Sequence, residues 1–106
     1  MAKYVETKSA FEQVRDGSGS KLVVVDFTAS WCPPWQMIAP KYDQLAQQLE
    51  GSVVMIKVDV DANSATAEAC GISAMPTFQL YKNGAKIADQ VGANWDGLVN
   101  LINSHK

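Results

Sequence analysis

The chain predicts an α/β fold: a central mixed β-sheet flanked by helices, in the order β-α-β-α-β-α-β-β-α. Three observations carry this. Leu22-Val23-Val24-Val25-Asp26-Phe27-Thr28 is β-branched with little alternation, as in a central strand covered on both faces. Helical periodicity follows it and leads to a second apolar run, which requires a parallel crossover. Asn83-Gly84 between two further runs signals a two-residue hairpin and an antiparallel edge. The 106 residues suit one domain spanning the whole chain, without repeats or linkers.

A short first strand is expected at Tyr4–Glu6. Ser9-Ala10-Phe11-Glu12 has capping-box spacing and opens a helix that ends near the turn residues of Asp16–Ser20. The strand Leu22–Thr28 comes next. From Pro34 to Leu49, Ile38, Tyr42, Leu45 and Leu49 recur at helical spacing; Pro34 suits the first turn, Pro40 should kink the helix, and Gly51 stops it. Ser52–Val60 is the next strand. A short helix follows over Ser64–Cys70, with Gly71 as its C-terminal stop. Pro76–Tyr81 and Lys86–Val91 form the hairpin, and a last helix begins near Asn94 with Trp95, Leu98, Val99 and Ile102 on one stripe.

Composition narrows the function. Nine Lys and Arg against eleven Asp and Glu give a net charge of −2, which disfavours a nucleic-acid surface. The apolar runs are too short to span a bilayer, so no membrane role is expected. Met1 to Glu6 carry a carboxylate before any long apolar stretch, unlike a secretory signal. Two cysteines, Cys32 and Cys70, are too few for a disulfide scaffold, and a single His105 leaves no zinc set in one chain. A cytoplasmic protein with no metal and no cofactor is the expectation.

Chemistry then falls to thiols and carboxylates. Cys32 lies between the end of a buried strand and the start of a helix, the end of an α/β sheet where ligands gather. Helix N–H groups and the helix dipole there stabilise a thiolate, the nucleophilic form. Trp31-Cys32-Pro33-Pro34-Trp35 lacks the composition of a packed helix interior and reads as an exposed ledge. Asp26 shares a strand face with Leu22 and Val24, beneath the helical layer, where a carboxylate is costly and becomes a candidate proton carrier. The bland alternative is that Asp26 pairs with a lysine from the neighbouring strand, Lys57. Cys70, near the end of a short helix, reads first as structural and second as a regulatory or dimer-forming thiol.

These residues resemble the thioredoxin family along the full chain. The matching segments are Lys21–Phe27, Ala29-Ser30-Trp31-Cys32, Ile38-Ala39-Pro40, Lys57–Asp61, Ala74–Phe78, Lys82-Asn83-Gly84 and Val91-Gly92-Ala93. The flavour is that of a cytosolic eukaryotic-type member. The resemblance implies the thioredoxin fold, Cys32 as attacking thiol, Asp26 as buried acid with Lys57 beside it, and Pro76 in cis facing the cysteine. It implies that Trp31, Met75, Pro76, Gly92 and Ala93 line the face where disulfide-containing proteins dock, and that a thioredoxin-reductase-type enzyme is a partner.

One departure outweighs the matches. The family pattern is Trp-Cys-Gly-Pro-Cys, and this chain has Trp31-Cys32-Pro33-Pro34-Trp35. Disulfide reduction takes an attacking thiolate and a second thiol that breaks the mixed disulfide. By resemblance position 35 supplies that resolving thiol, and tryptophan has no sulfur. Three readings follow. The first is a monothiol oxidoreductase whose Cys32 forms mixed disulfides released by glutathione or another external thiol. The second is a binding module or partner trap using the apolar face around Trp31, Trp35 and Met75; Pro33 and Pro34 join these as substrate-binding candidates. The third, the weakest, is a metal or iron–sulfur centre bridging two chains. A disulfide-linked homodimer is compatible with each. An indole at position 35 is expected to shift the helix start or to turn outward and enlarge the docking face.

Overall fold

The computed structural model describes residues 2–106. Strands β1 (Lys3–Tyr4), β2 (Leu22–Thr28), β3 (Val53–Asp59), β4 (Thr77–Lys82) and β5 (Ala85–Val91) form one sheet in the order β1-β3-β2-β4-β5. The helices are α1 (Lys8–Gly17), α2 (Pro33–Gln48), α3 (Ser64–Ala69) and α4 (Trp95–His105). β3 runs parallel to β1 and β2, whereas β4 is antiparallel to β2 and β5, so the sheet is mixed as expected.

β2 is buried along its whole length because apolar layers cover both its faces. Leu22 and Val24 point into a core with Trp35, Ile38 and Tyr42 of α2 and Leu98 and Ile102 of α4. Val23, Val25 and Phe27 point the other way, to Phe11 of α1 and to Cys70 and Ile72 around the end of α3. Strand alternation thus divides the molecule into an α2/α4 layer and an α1/α3 layer. The crossovers through α1 and α2 travel in opposite directions on opposite faces, which gives both the same hand.

Local chemistry fixes most element ends. Asn83 and Gly84 take positive φ values of 53° and 79°, the turn that joins two twisted strands in two residues. Gly71, at φ +72°, ends α3: its N–H donates to the Glu68 carbonyl and the Ile72 N–H to the Ala67 carbonyl, pairing otherwise orphaned groups. The Asn94 side chain accepts from the Gly97 N–H at 3.0 Å and starts α4.

Several boundaries differ from expectation. α1 is capped by Thr7, whose hydroxyl accepts from the Ala10 N–H at 3.0 Å, so the Ser9–Glu12 capping box does not form. Thr7 has the same capping chemistry as Ser9 and starts the helix earlier, leaving Ser9 inside it. β1 is Lys3–Tyr4 rather than Tyr4–Glu6, although the Val5 N–H still donates to the Lys57 carbonyl at 2.8 Å. α2 begins at Pro33, one residue early, with Pro40 inside it.

Candidate functional site

β2 delivers the site. Its last residues lead through Ala29 and Ser30 to Trp31 and Cys32, and Cys32 is the N-cap of α2. The Gln36 N–H donates to the Cys32 carbonyl at 3.0 Å, while the Gln36 side-chain amide donates to the Ser30 carbonyl at 2.8 Å, tying the turn to the first helical turn. Pro33 and Pro34 occupy the first two helical positions and carry no N–H. The helix start therefore presents the Trp35 N–H alone to an anion, fewer donors than the bare position of Cys32 suggested.

Cys32 is buried, and its thiol sits 3.9 Å from the Met75 carbonyl oxygen. The Met75–Pro76 peptide bond is cis. The Pro76 carbonyl accepts from the Gly92 N–H at 2.8 Å, which seats the Gly92–Ala93 turn beside the same loop. Met75, Gly92 and Ala93 are half-buried and Pro76 is buried. Trp31 covers the other side at 60% exposure, its indole N–H donating to Asp61 at 2.8 Å. Pro33 and Pro34 are exposed, but the ledge as a whole is not, because the cysteine and Trp35 both turn inward.

Trp35 is the main correction to the expected docking face. Its indole is only 3% exposed and meets the Tyr42 ring edge-on, with centroids 5.7 Å apart. The indole enters the α2/α4 core instead of turning outward. Tyr42 is itself fully buried, its hydroxyl donating to the carbonyl of Ile56 at 2.8 Å and lying 3.3 Å from that of Val24. The indole thus finds an aromatic neighbour fixed to the sheet. Burial there removes more apolar area from water than an outward pose would.

Asp26 lies at the bottom of this core, fully buried, and neither carboxylate oxygen has a hydrogen-bond partner. Burial pushes its carboxyl well above the ordinary carboxylate range; the Lys57 charge pulls it down and Asp43 pushes it up. The expected Asp26–Lys57 pair is not made. The two are register neighbours across β2 and β3, yet the Lys57 ammonium bonds Asp43 of α2 at 3.2 Å and lies 4.6 Å from the centre of the Tyr4 ring. A flexible lysine reaches a partly exposed carboxylate and keeps water nearby, which costs less than joining a fully buried one.

Cys70 belongs to the α1/α3 layer, packed against that core with its sulfur 3.9 Å from the Tyr81 hydroxyl. Burial pushes its thiol upward. The sheet separates Cys70 from Cys32. Sequence reasoning missed Asp43 and Asp61, the carboxylates that hold Lys57 and Trp31; only the packing of α2 on β3, and of the loop after β3 on the β2–α2 turn, brings them there. It also missed the exposed Met37 and Val91, at 80% and 65% exposure. Among the described residues no cluster of His, Cys, Asp and Glu is set to hold a metal, and no helix is long and apolar enough to cross a membrane.

A strand-to-helix thiol facing a cis-proline loop, on a mixed sheet with this strand order, defines a thioredoxin-fold protein of the thiol–disulfide oxidoreductase class. The protein-family model described as Thioredoxin matches residues 2–104. Thioredoxin of Geodia cydonium is 50% identical, covering 100% of both chains, and human thioredoxin is 43% identical over 97% of both. The crystal structure of Fasciola hepatica thioredoxin superposes with a TM-score of 0.94 at 38% identity, covering 98% of this chain and 99% of that one. The chain belongs to the thioredoxin family.

Proposed function

We propose that the chain carries out thiol–disulfide exchange through Cys32 alone. The Cys32 thiolate attacks a disulfide of a protein or of glutathione, forms a mixed disulfide, and waits for an external thiol to release it. The observation that carries this reading is the buried indole at position 35. A resolving sulfur is missing there, and Cys70 lies in the opposite layer, with the sheet between them. A disulfide needs Cα atoms within about 7 Å, which a sheet interposed between two side-chain layers does not allow. Trp31, Met75, Pro76, Gly92 and Ala93 would then hold the substrate segment beside the thiol, with Pro33 and Pro34 at its rim. Asp26 and Lys57 would set the charge beneath it. A reducing compartment such as the cytoplasm would keep Cys32 in its thiol form.

Insulin, a disulfide protein, tests the reading. Mixed with the reduced chain and separated without reductant, it is expected to give a covalent complex that persists until glutathione is added. The complex should vanish in Cys32→Ser and survive in Cys70→Ser. A second reading, partner binding without chemistry, draws on the exposed Trp31, Met37 and Val91. It gains if no covalent complex forms and insulin binds equally to Cys32→Ser.

A further inference from the structure

Resting on that single-thiol reading, we infer that glutathione releases a Cys32 mixed disulfide by attacking the partner's sulfur and never the Cys32 sulfur, so protein–glutathione mixed disulfides are the substrate class on which the cycle closes in one round. Thiol–disulfide exchange is an in-line displacement: the attacking sulfur approaches along the S–S axis, opposite the sulfur that leaves. In a Cys32 mixed disulfide the partner's sulfur occupies the open side, between Trp31 and the Met75–Pro76 loop. Attack on Cys32 itself must then come from the protein interior. Trp35, three residues along and on the same side of the first helical turn, fills that interior with an indole only 3% exposed. Tyr42 backs the indole with a fully buried ring, so the indole has no space to retreat into. Cys32 is buried too, at 5% exposure, and shares that core. The partner's sulfur, in contrast, is open to solvent from behind.

This regiochemistry selects among substrates. With a protein–glutathione disulfide, the Cys32 thiolate attacks the glutathionyl sulfur; a Cys32–glutathione bond replaces the protein–glutathione bond, and the protein sulfur leaves reduced with the electron pair. A second glutathione thiolate attacks the bound glutathionyl sulfur, forms glutathione disulfide and returns the pair to Cys32. The cycle closes. With an internal protein disulfide, Cys32 opens the bond and frees one protein thiol, but attack on the partner's sulfur leaves that sulfur carrying glutathione. The protein becomes a mixed disulfide, which is the first substrate again. Internal disulfides therefore pass through a glutathionylated state on their way to reduction.

The test joins Cys32 by a mixed disulfide to a short synthetic peptide bearing one cysteine, on a Cys70→Ser background, and adds glutathione. Products of the first turnover are read by mass spectrometry. The expected products are peptide–glutathione disulfide and free Cys32. Glutathionylated Cys32 with free peptide thiol would overturn the inference while leaving the single-thiol reading intact. Failure to load Cys32 at all would overturn both. In Trp35→Ala, where the interior approach opens, the product ratio should shift toward glutathionylated Cys32; a folded variant with unchanged products would show that the indole does not direct the attack.

Discussion

Lys57 stands beside Asp26 in the β2–β3 ladder but gives its ammonium to Asp43, at 3.2 Å. Asp26 is left fully buried with both oxygens unpaired. Resemblance to the thioredoxin family implies that a buried acid here moves protons for a thiol at position 35, and in this chain that position holds the buried indole of Trp35. A buried carboxyl without a partner also carries a cost to stability.

That cost has a sign. The folded-state value of Asp26 is raised above the unfolded one, so the folded protein binds the proton more tightly. Its stabilising contribution is complete below the unfolded value, about 3.9, and is lost as pH rises toward the raised value. Stability measured by urea unfolding should fall as pH rises from the acid side toward neutrality, and Asp26→Asn should flatten that slope. An unchanged slope in the variant would show that another group sets it.

Trp35 should be a large contributor to the α2/α4 core. Trp35→Ala is expected to lose about 3–5 kcal/mol in equilibrium unfolding, the range for truncating a buried aromatic. An outward indole would cost well under about 1 kcal/mol, as for ordinary surface changes.

Tyr42 fixes the floor beneath the indole. Tyr42→Phe removes the hydrogen bond to the Ile56 carbonyl and should cost about 1 kcal/mol. It should also change the near-ultraviolet circular dichroism, through the ring edge that faces Trp35. Thermal unfolding and that spectrum check the two effects.

Trp35→Cys returns a sulfur to position 35. The variant should form an internal disulfide with Cys32 on mild oxidation and reduce insulin catalytically with dithiothreitol, faster than the parent chain. A variant that folds but gains neither property would show that more than the missing sulfur separates this site from its relatives.

The legible parts of the fold were those written in local signals. The apolar run of β2 matched Leu22–Thr28, Asn83-Gly84 marked its hairpin, and Asn94 capped α4. Cys32 at a strand-to-helix junction was equally legible. The features that differ depend on contacts between elements. Thr7 and Ser9 are equivalent caps until α1 docks. The choice of Lys57 between Asp26 and Asp43 depends on how α2 lies over β3. The direction of Trp35 depends on whether the space beside Tyr42 admits an indole, and helical spacing alone says nothing of that space.

The central claim is that Cys32 is a live nucleophile without an internal resolver. Intact mass after incubation with glutathione disulfide at neutral pH, beside Cys32→Ser and Cys70→Ser, tests it most directly. One stable glutathione adduct, lost in Cys32→Ser and kept in Cys70→Ser, is the predicted result. An unmodified Cys32 in the folded chain, or an adduct that gives way to a Cys32–Cys70 disulfide, would contradict it.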